Sequence, residues 1–93
     1  MSNLHVIATS PQTTNFVDLK AAVASVDAVL FIEDGVYFSQ ADDAMLNFAT
    51  QRQFFLSEDL LARGLALRAE QEQLNYDGFV DLTTKHERCI SWY

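Results

Sequence analysis

The sequence is poor in the residues that interrupt a fold or cross-link it. It contains three glycines, one proline and one cysteine in 93 residues. So few glycines and prolines predict no flexible linker or low-complexity tract, and one cysteine cannot form an internal disulfide. The longest uniformly apolar run, residues 28–32, is far too short to span a bilayer. We therefore expect one domain covering residues 1–93 and no membrane segment.

Positive charge is also scarce. Six Lys and Arg residues face thirteen Asp and Glu residues, which gives a net charge of −7, and the six are scattered along the chain. Direct binding to nucleic acid or to an anionic membrane needs a basic surface, so we expect neither. Residues 1–10 have no basic region ahead of their apolar stretch, and this predicts no signal peptide and a cytoplasmic location.

Short apolar runs alternate with amphipathic segments along the chain. The predicted strands are residues 4–8, 28–32, 53–56, 74–76 and 89–93. The predicted helices are 16–26, 44–49, 60–67 and a segment that begins near residue 77. Since every position of 28–32 is apolar, that strand is expected to be buried on both faces, as in parallel sheets. The order predicts an α/β fold of small flavodoxin-like type, with a mainly parallel five-stranded sheet and helices on both faces.

Several polar residues stand where helices should begin or end. Thr13, Thr14 or Asn15 can cap the first helix, and Asp77 can cap the last. Because glycine disfavours helix, Gly64 makes the position at which the third helix ends ambiguous in the sequence.

Three individual residues are candidates for a chemical role. Cys89 could act as a nucleophile or sulfur carrier if its thiolate were exposed, but free cysteines are among the most buried residues, and we favour a structural role. His5 and His86 have no partner at metal-ligand spacing, and we interpret both as structural. No metal or cofactor is expected.

Two patterns would suit a stand-alone binding module of flavodoxin or receiver type. Residues 9–15 (TSPQTTN) follow the first strand, where a phosphate could bind, but they lack the glycine that such a cradle needs. The acidic pairs Glu33-Asp34 and Asp42-Asp43 could hold a cation or act as a base. Receiver domains also need a late lysine, and residues 74–80 contain none. We interpret residues 9–15 as a turn with a helix cap, and the two acidic pairs as solvent-exposed turn residues.

An apolar trio, Val36, Tyr37 and Phe38, follows the second predicted strand. It either packs under the second helix or faces a partner, and aromatic residues are enriched in interface cores. We take these three residues as the candidate subunit interface.

Segments spread along the whole chain resemble the DsrH/TusB family. They are LHVIATSP (4–11), IEDGV (32–36), LSEDLLARGL (56–65), FVDLTTKH (79–86) and SW (91–92). The resemblance implies a DsrEFH-like fold and a subunit of a sulfur-relay complex that supports 2-thiolation of the tRNA wobble uridine.

The resemblance also implies partners and a division of labour. The chain would assemble with TusC-like and TusD-like homologues into a heterohexamer, a dimer of heterotrimers. The persulfide would travel on the TusD-like subunit, and then to a TusE-like carrier and the tRNA thiouridylase. Some DsrH-type relatives carry a cysteine after the first strand, but residues 9–15 contain none. We therefore expect a non-catalytic subunit, with Cys89 as carrier or a stand-alone binding module as alternatives.

Overall fold

The structure, a computed structural model, describes residues 2–93 and alternates strands with helices as the sequence predicts. The strands are β1 (Asn3–Ile7), β2 (Ala28–Phe31), β3 (Gln53–Leu56), β4 (Glu72–Leu74) and β5 (Arg88–Trp92). The α-helices are α1 (Phe16–Ala22), α2 (Ser57–Ala62) and α3 (Tyr76–Lys85). Two 3₁₀ helices, Glu33–Gln40 and Asp43–Leu46, lie between β2 and β3. None of the helices described here is both long and apolar enough to cross a membrane.

All five strands are parallel, in the order β4-β3-β2-β1-β5. This arrangement confirms the predicted α/β fold. The middle strand β2 is buried at each of its four positions, which explains why residues 28–31 are apolar without alternation.

The strand order distributes the helices unequally over the sheet. Three successive connections step from β1 to β4 in one direction, so right-handed crossovers place them on one face, here called the first face. The last connection returns across the sheet to β5, and its helix α3 lies on the second face. Ile7 and Phe31 line the core of the first face, whereas Leu4 and Leu30 line that of the second.

Aromatic rings fill the core of the first face. Phe31 stacks on Phe38 and on Phe55, with ring centroids 4.9 and 4.7 Å apart. All three side chains are fully buried. Such pairs contribute beyond their buried area, so this stack anchors the first 3₁₀ helix to β2 and β3.

The second face is more thinly covered. Within residues 2–93, α3 is the helix that packs there, through Phe79 and Leu82, and it has no fully buried residue of its own. Phe54 and Leu74 are only half-buried on this face. The second core is therefore open at the β3 and β4 side.

The first helix is shorter than predicted. It ends at Ala22, and Val26, predicted to lie on its buried stripe, is half exposed. The reason is Asp27, whose carboxylate accepts a hydrogen bond from the Ala24 backbone N–H and turns the chain into β2. Asn15 is the cap, accepting from the Asp18 N–H at 3.3 Å.

Five other features also differ from the predictions. The predicted helix at 44–49 is a one-turn 3₁₀ helix, and the longer 3₁₀ helix Glu33–Gln40 was missed. Helix α2 ends early because Gly64 adopts a left-handed φ of 66°. Strand β4 lies two residues earlier than predicted, and Asn75, not Asp77, caps α3 by accepting from the Gly78 N–H at 2.9 Å.

Candidate functional site

A cleft of about 760 Å³ lies at the carboxyl ends of β1 and β2. The turn after β1 forms one wall, and the first 3₁₀ helix with the residues after it forms the other. Its lining includes Ser10, Gln12, Asp34, Tyr37, Asp42 and Met45. The carboxyl ends of parallel strands are where ligands and partners commonly bind in α/β folds. We take this cleft as the candidate functional site.

The structure separates the three predicted interface residues. Val36 and Phe38 are fully buried in the core of the first face, whereas Tyr37 is 40% exposed and lines the cleft. A residue of a 3₁₀ helix points away from its immediate neighbours because the helix turns about 120° per residue. Val36 and Phe38 are therefore unable to meet a partner from this position, and the interface hypothesis narrows to Tyr37.

Backbone geometry holds the first 3₁₀ helix against β1. A side chain at Gly35 would overlap the carbonyl oxygen of Ile7, so this position needs a glycine. Glu33 has a φ of 49°, which residues other than glycine rarely adopt. Its N–H donates to the Asp59 carboxylate at 2.6 Å. These contacts set the direction in which Tyr37 points.

The acidic pairs beside the cleft take part in ion pairs. Asp34 meets the Arg63 guanidinium at 3.1 Å, and Asp43 meets that of Arg68 at 3.4 Å. Both carboxylates are exposed, and such pairs stabilise weakly. No group of three or more His, Cys, Asp or Glu residues within 2–93 is placed to hold a metal ion. The acids thus tie the two 3₁₀ helices to the segments around α2.

The hydroxyl groups of the turn after β1 bond to each other and to the turn itself. Thr9 and Thr14 join through their Oγ1 atoms at 2.7 Å, and the Thr14 hydroxyl donates to the Ser10 carbonyl at 2.8 Å. The turn is therefore stabilised from within, in line with the interpretation of residues 9–15 as a turn.

Cys89 is exposed, so its expected burial is wrong. It lies on β5, an edge strand, opposite Leu4 of β1 and on the second face, which α3 covers incompletely. Partial burial of the thiol raises the pKa of Cys89. A raised pKa leaves less thiolate at neutral pH, which is the opposite of what a nucleophilic cysteine needs.

The two histidines lie in different surroundings. His5 is fully buried in β1 and bonds the Asp27 carboxylate, a contact that no local pattern in the sequence signals. His86 follows α3 and bonds the Ser2 hydroxyl at 3.1 Å. Burial and the charge of Arg52 lower the pKa of His86, and the opposing effect of Asp27 is smaller.

The fold is shared with a solved structure. The solution NMR structure of protein Tm0979 from Thermotoga maritima matches with a TM-score of 0.70 and 19% sequence identity. The match covers 91% of this chain and 94% of that protein. The molecule thus has the architecture of a known class of small parallel α/β domains.

Sequence comparisons give the family. The family model described as DsrH like protein matches residues 9–89. Protein TusB of Yersinia enterocolitica is 34% identical, and proteins TusB of Buchnera aphidicola and Escherichia coli are each 33% identical. Each match covers 96% of this chain and 99% of the relative. The chain belongs to the DsrH/TusB family, which places it among sulfur-relay components.

Proposed function

We propose that the protein is a non-catalytic subunit of a TusBCD-like sulfur relay that supports 2-thiolation of the tRNA wobble uridine in the cytoplasm. Its partners are TusC-like and TusD-like homologues in a heterohexamer, linked to a TusE-like carrier and the tRNA thiouridylase. The observation that carries the proposal is family membership over residues 9–89 in a chain whose cleft has no thiol among its lining residues.

The position of Cys89 supports the non-catalytic role. Its strand β5 is at one edge of the sheet, and its raised pKa makes it a poor nucleophile at neutral pH. Sulfur transfer within the assembly therefore falls to a thiol on another subunit.

Tyr37 supports the assignment of the cleft as a docking site for one of these homologues. Its exposed ring lines the cleft together with Asp34 and Asp42, so a partner can bury an aromatic group there within a polar rim. Asp34 is already paired with Arg63, and Asp42 adds a carboxylate that favours a partner surface with Lys or Arg residues.

Co-expression with TusC-like and TusD-like chains tests assembly. The wild-type chain should elute with both in one complex, and Tyr37→Asp should weaken that association at least tenfold, because it replaces the exposed ring that a partner would bury with a charge that is costly to desolvate. Tyr93→Asp, at a tyrosine that is 90% exposed and distant in sequence, serves as the matched control. A wild-type chain that elutes alone as a monomer contradicts the proposal, and equal assembly of the two variants removes Tyr37 from the interface.

The exposure of Cys89 is the observation that favours a second candidate, a carrier that uses this thiol. We expect iodoacetamide to alkylate Cys89 more slowly in the folded protein than in the urea-unfolded chain, because the raised pKa lowers the thiolate fraction. Cys89→Ser should leave the content of 2-thiouridine in cellular tRNA unchanged. Faster alkylation in the folded protein, together with loss of thiolation in Cys89→Ser, would establish the carrier role instead.

A further inference from the structure

A buried polar cluster in the middle of the sheet takes no part in the cleft. His5, fully buried in β1, has both ring nitrogens in hydrogen bonds. Its Nε2 lies 2.9 Å from an Asp27 carboxylate oxygen, and its Nδ1 lies 3.2 Å from the indole Nε1 of Trp92. The cluster joins the first strand, the turn before β2 and the last strand.

The hydrogen bonds determine the protonation state of the ring. An indole N–H can only donate, so Nδ1 of His5 must present a lone pair to Trp92. The single ring proton is then on Nε2 and is donated to Asp27. That carboxylate also accepts the backbone N–H groups of Asn3 and Ala24, each at 2.9 Å. The structure therefore holds a neutral imidazole beside an ionised carboxylate.

A second proton on His5 is incompatible with this arrangement. It would come from solvent and bind Nδ1, turning that nitrogen into a donor that faces the indole N–H. Two donors cannot share a hydrogen bond, and a buried donor without an acceptor is costly. Trp92 would have to move away before Nδ1 could reach another acceptor.

The Trp92 position is one of the points where β5 is attached. Its backbone carbonyl accepts the Ala8 N–H at 3.2 Å, and it is in register with Ile7 of β1. Its ring also packs against the core of the first face. Displacement of the indole therefore loosens the end of an edge strand, which on its other side has no neighbouring strand within the described chain.

Few other charged groups lie near the cluster. The register partners of His5 on the adjacent strands are Val29 and Ile90, which do not titrate. Arg52, just before β3, donates to the Val26 carbonyl. His86, after α3, is close enough to interact electrostatically with Arg52 and Asp27. Among the charged side chains described, Asp27 alone contacts the ring of His5.

We propose that His5 is a proton-controlled latch that holds the last strand through Trp92 when neutral and releases it when doubly protonated. The inference rests on the cluster geometry alone and is independent of the proposed role in sulfur relay.

NMR of the ¹⁵N-labelled wild-type protein tests the latch directly. At neutral pH, the ring nitrogen shifts of His5 should show the tautomer protonated on Nε2. As the pH is lowered from 7 toward the acid limit of folding, the indole N–H signal of Trp92 should change together with the ring signals of His5. The protection of the Ala8 amide against hydrogen exchange, relative to the intrinsic rate at each pH, should fall at least tenfold over the same range.

Three variants separate the latch from general acid effects. His5→Gln should lose the pH response of Trp92, and His86→Gln, at the other histidine, should keep it. Trp92→Phe retains an aromatic ring but removes the indole N–H, so the protection of the Ala8 amide, relative to its intrinsic exchange rate, should become less dependent on pH. If His5→Gln fails to fold, the wild-type titration and Trp92→Phe still decide.

Three results would overturn the latch. The first is an Nδ1-protonated tautomer at neutral pH. The second is a His5 ring that takes its second proton while Trp92 and the Ala8 amide stay unchanged, or that takes none before the protein unfolds. The third is a pH response of Trp92 that follows the titration of His86 and disappears in His86→Gln.

Discussion

At the scale of the residue, Gly35 shows how one missing side chain positions the candidate site. Its backbone lies against the Ile7 carbonyl of β1, so the first 3₁₀ helix passes directly over the end of that strand. The side chains of the next two residues point in different directions: Val36 is buried in the core, and Tyr37 lines the cleft. The glycine of the motif IEDGV is thus required sterically, and the motif is also part of the family resemblance.

Replacement of Gly35 tests this steric role. Gly35→Ala should lower the free energy of unfolding by about 1–3 kcal/mol, because a Cβ would collide with backbone that cannot rotate away. Urea unfolding followed by circular dichroism measures the loss. Gly64→Ala is a comparison with a different cause, since Gly64 has open space but a φ of 66°, and it should lose about 1–2 kcal/mol. A Gly35→Ala variant as stable as the wild type would mean that crowding at Ile7 is unimportant.

Sequence patterns located some individual residues well and others poorly. Asn15 was among the three candidate caps because short polar side chains satisfy free backbone N–H groups locally. The bond from Trp92 to His5 joins residues 87 positions apart, and no local rule could indicate it. Cys89 was misjudged because burial statistics describe residue types, whereas its exposure follows from an edge position that only the topology defines.

At the scale of the element, Asp27 links three parts of the chain. Its carboxylate accepts hydrogen bonds from Asn3 at the start of β1, from His5 within β1, and from Ala24 after α1. Burial alone raises the pKa of Asp27, but the bonds from Ala24, Asn3 and His5 outweigh burial and keep that pKa below the ordinary value of 3.8. The ionised carboxylate therefore stabilises the folded state.

Because of Asp27, the free energy of unfolding should decrease as the pH is lowered. Because its pKa is lower in the folded than in the unfolded chain, its contribution is complete above the unfolded value and is lost as the pH falls through the folded one. Asp27→Asn should lower the free energy of unfolding at pH 7 by about 1–3 kcal/mol, since at least one donor loses its acceptor. The slope of unfolding free energy against pH below about 5 should also become shallower.

Urea unfolding at a series of pH values measures both effects. Asp81→Asn is a suitable control, because Asp81 is exposed and pairs with Lys85 on the surface of α3, where such pairs contribute little. If the free energy of unfolding of Asp27→Asn falls with pH below about 5 as steeply as that of the wild type, Asp27 does not cause the dependence.

Element types followed from the sequence more reliably than their ends. Four of the five strands lie within one residue of the predicted ones, because apolar runs flanked by turn residues have few alternatives. Strand β4 is not an apolar run, and it overlaps the predicted 74–76 only at Leu74. The 3₁₀ helix Glu33–Gln40 was missed since its buried and exposed residues follow neither the helical nor the strand period. The second predicted helix is one turn long because the chain from Asp43 must soon reach β3.

At the scale of the whole molecule, the net charge and the incomplete helix cover of the second face both indicate the kind of partner that the protein binds. The net charge of −7, with only six scattered Lys and Arg residues, is unfavourable for binding a polyanion. The second face has a single helix over it and half-buried apolar residues at Phe54 and Leu74. A domain with these properties is suited to contacts with protein.

The isolated chain should not bind tRNA. In fluorescence anisotropy at about 0.15 M salt, its dissociation constant should be weaker than about 0.1 mM, because no cluster of Lys and Arg can displace counterions from phosphates. The assembled relay provides the comparison, since its other subunits can supply basic residues. Saturable binding by the isolated chain at micromolar concentration would contradict this expectation.

The sheet and its direction could be predicted, but the cleft could not. The uniform apolar character of 28–31 is enough to indicate a parallel sheet. The cleft brings together Ser10 from the turn after β1, Tyr37 from the first 3₁₀ helix and Asp42 just after that helix, and their approach depends on the packing of Gly35 on β1. Sequence alone therefore placed Tyr37 in an interface hypothesis without separating it from its buried neighbours.

The pairing of β5 with β1 also has a consequence during synthesis. The first strand is made long before its outer neighbour, so a nascent chain must carry an open sheet edge, with His5 lacking its indole partner, until residue 92 is available. Contacts between distant residues form slowly, and unpaired strand edges promote aggregation. Until β5 is made, the unfinished chain therefore exposes an edge of β1 at which strands of other chains can pair.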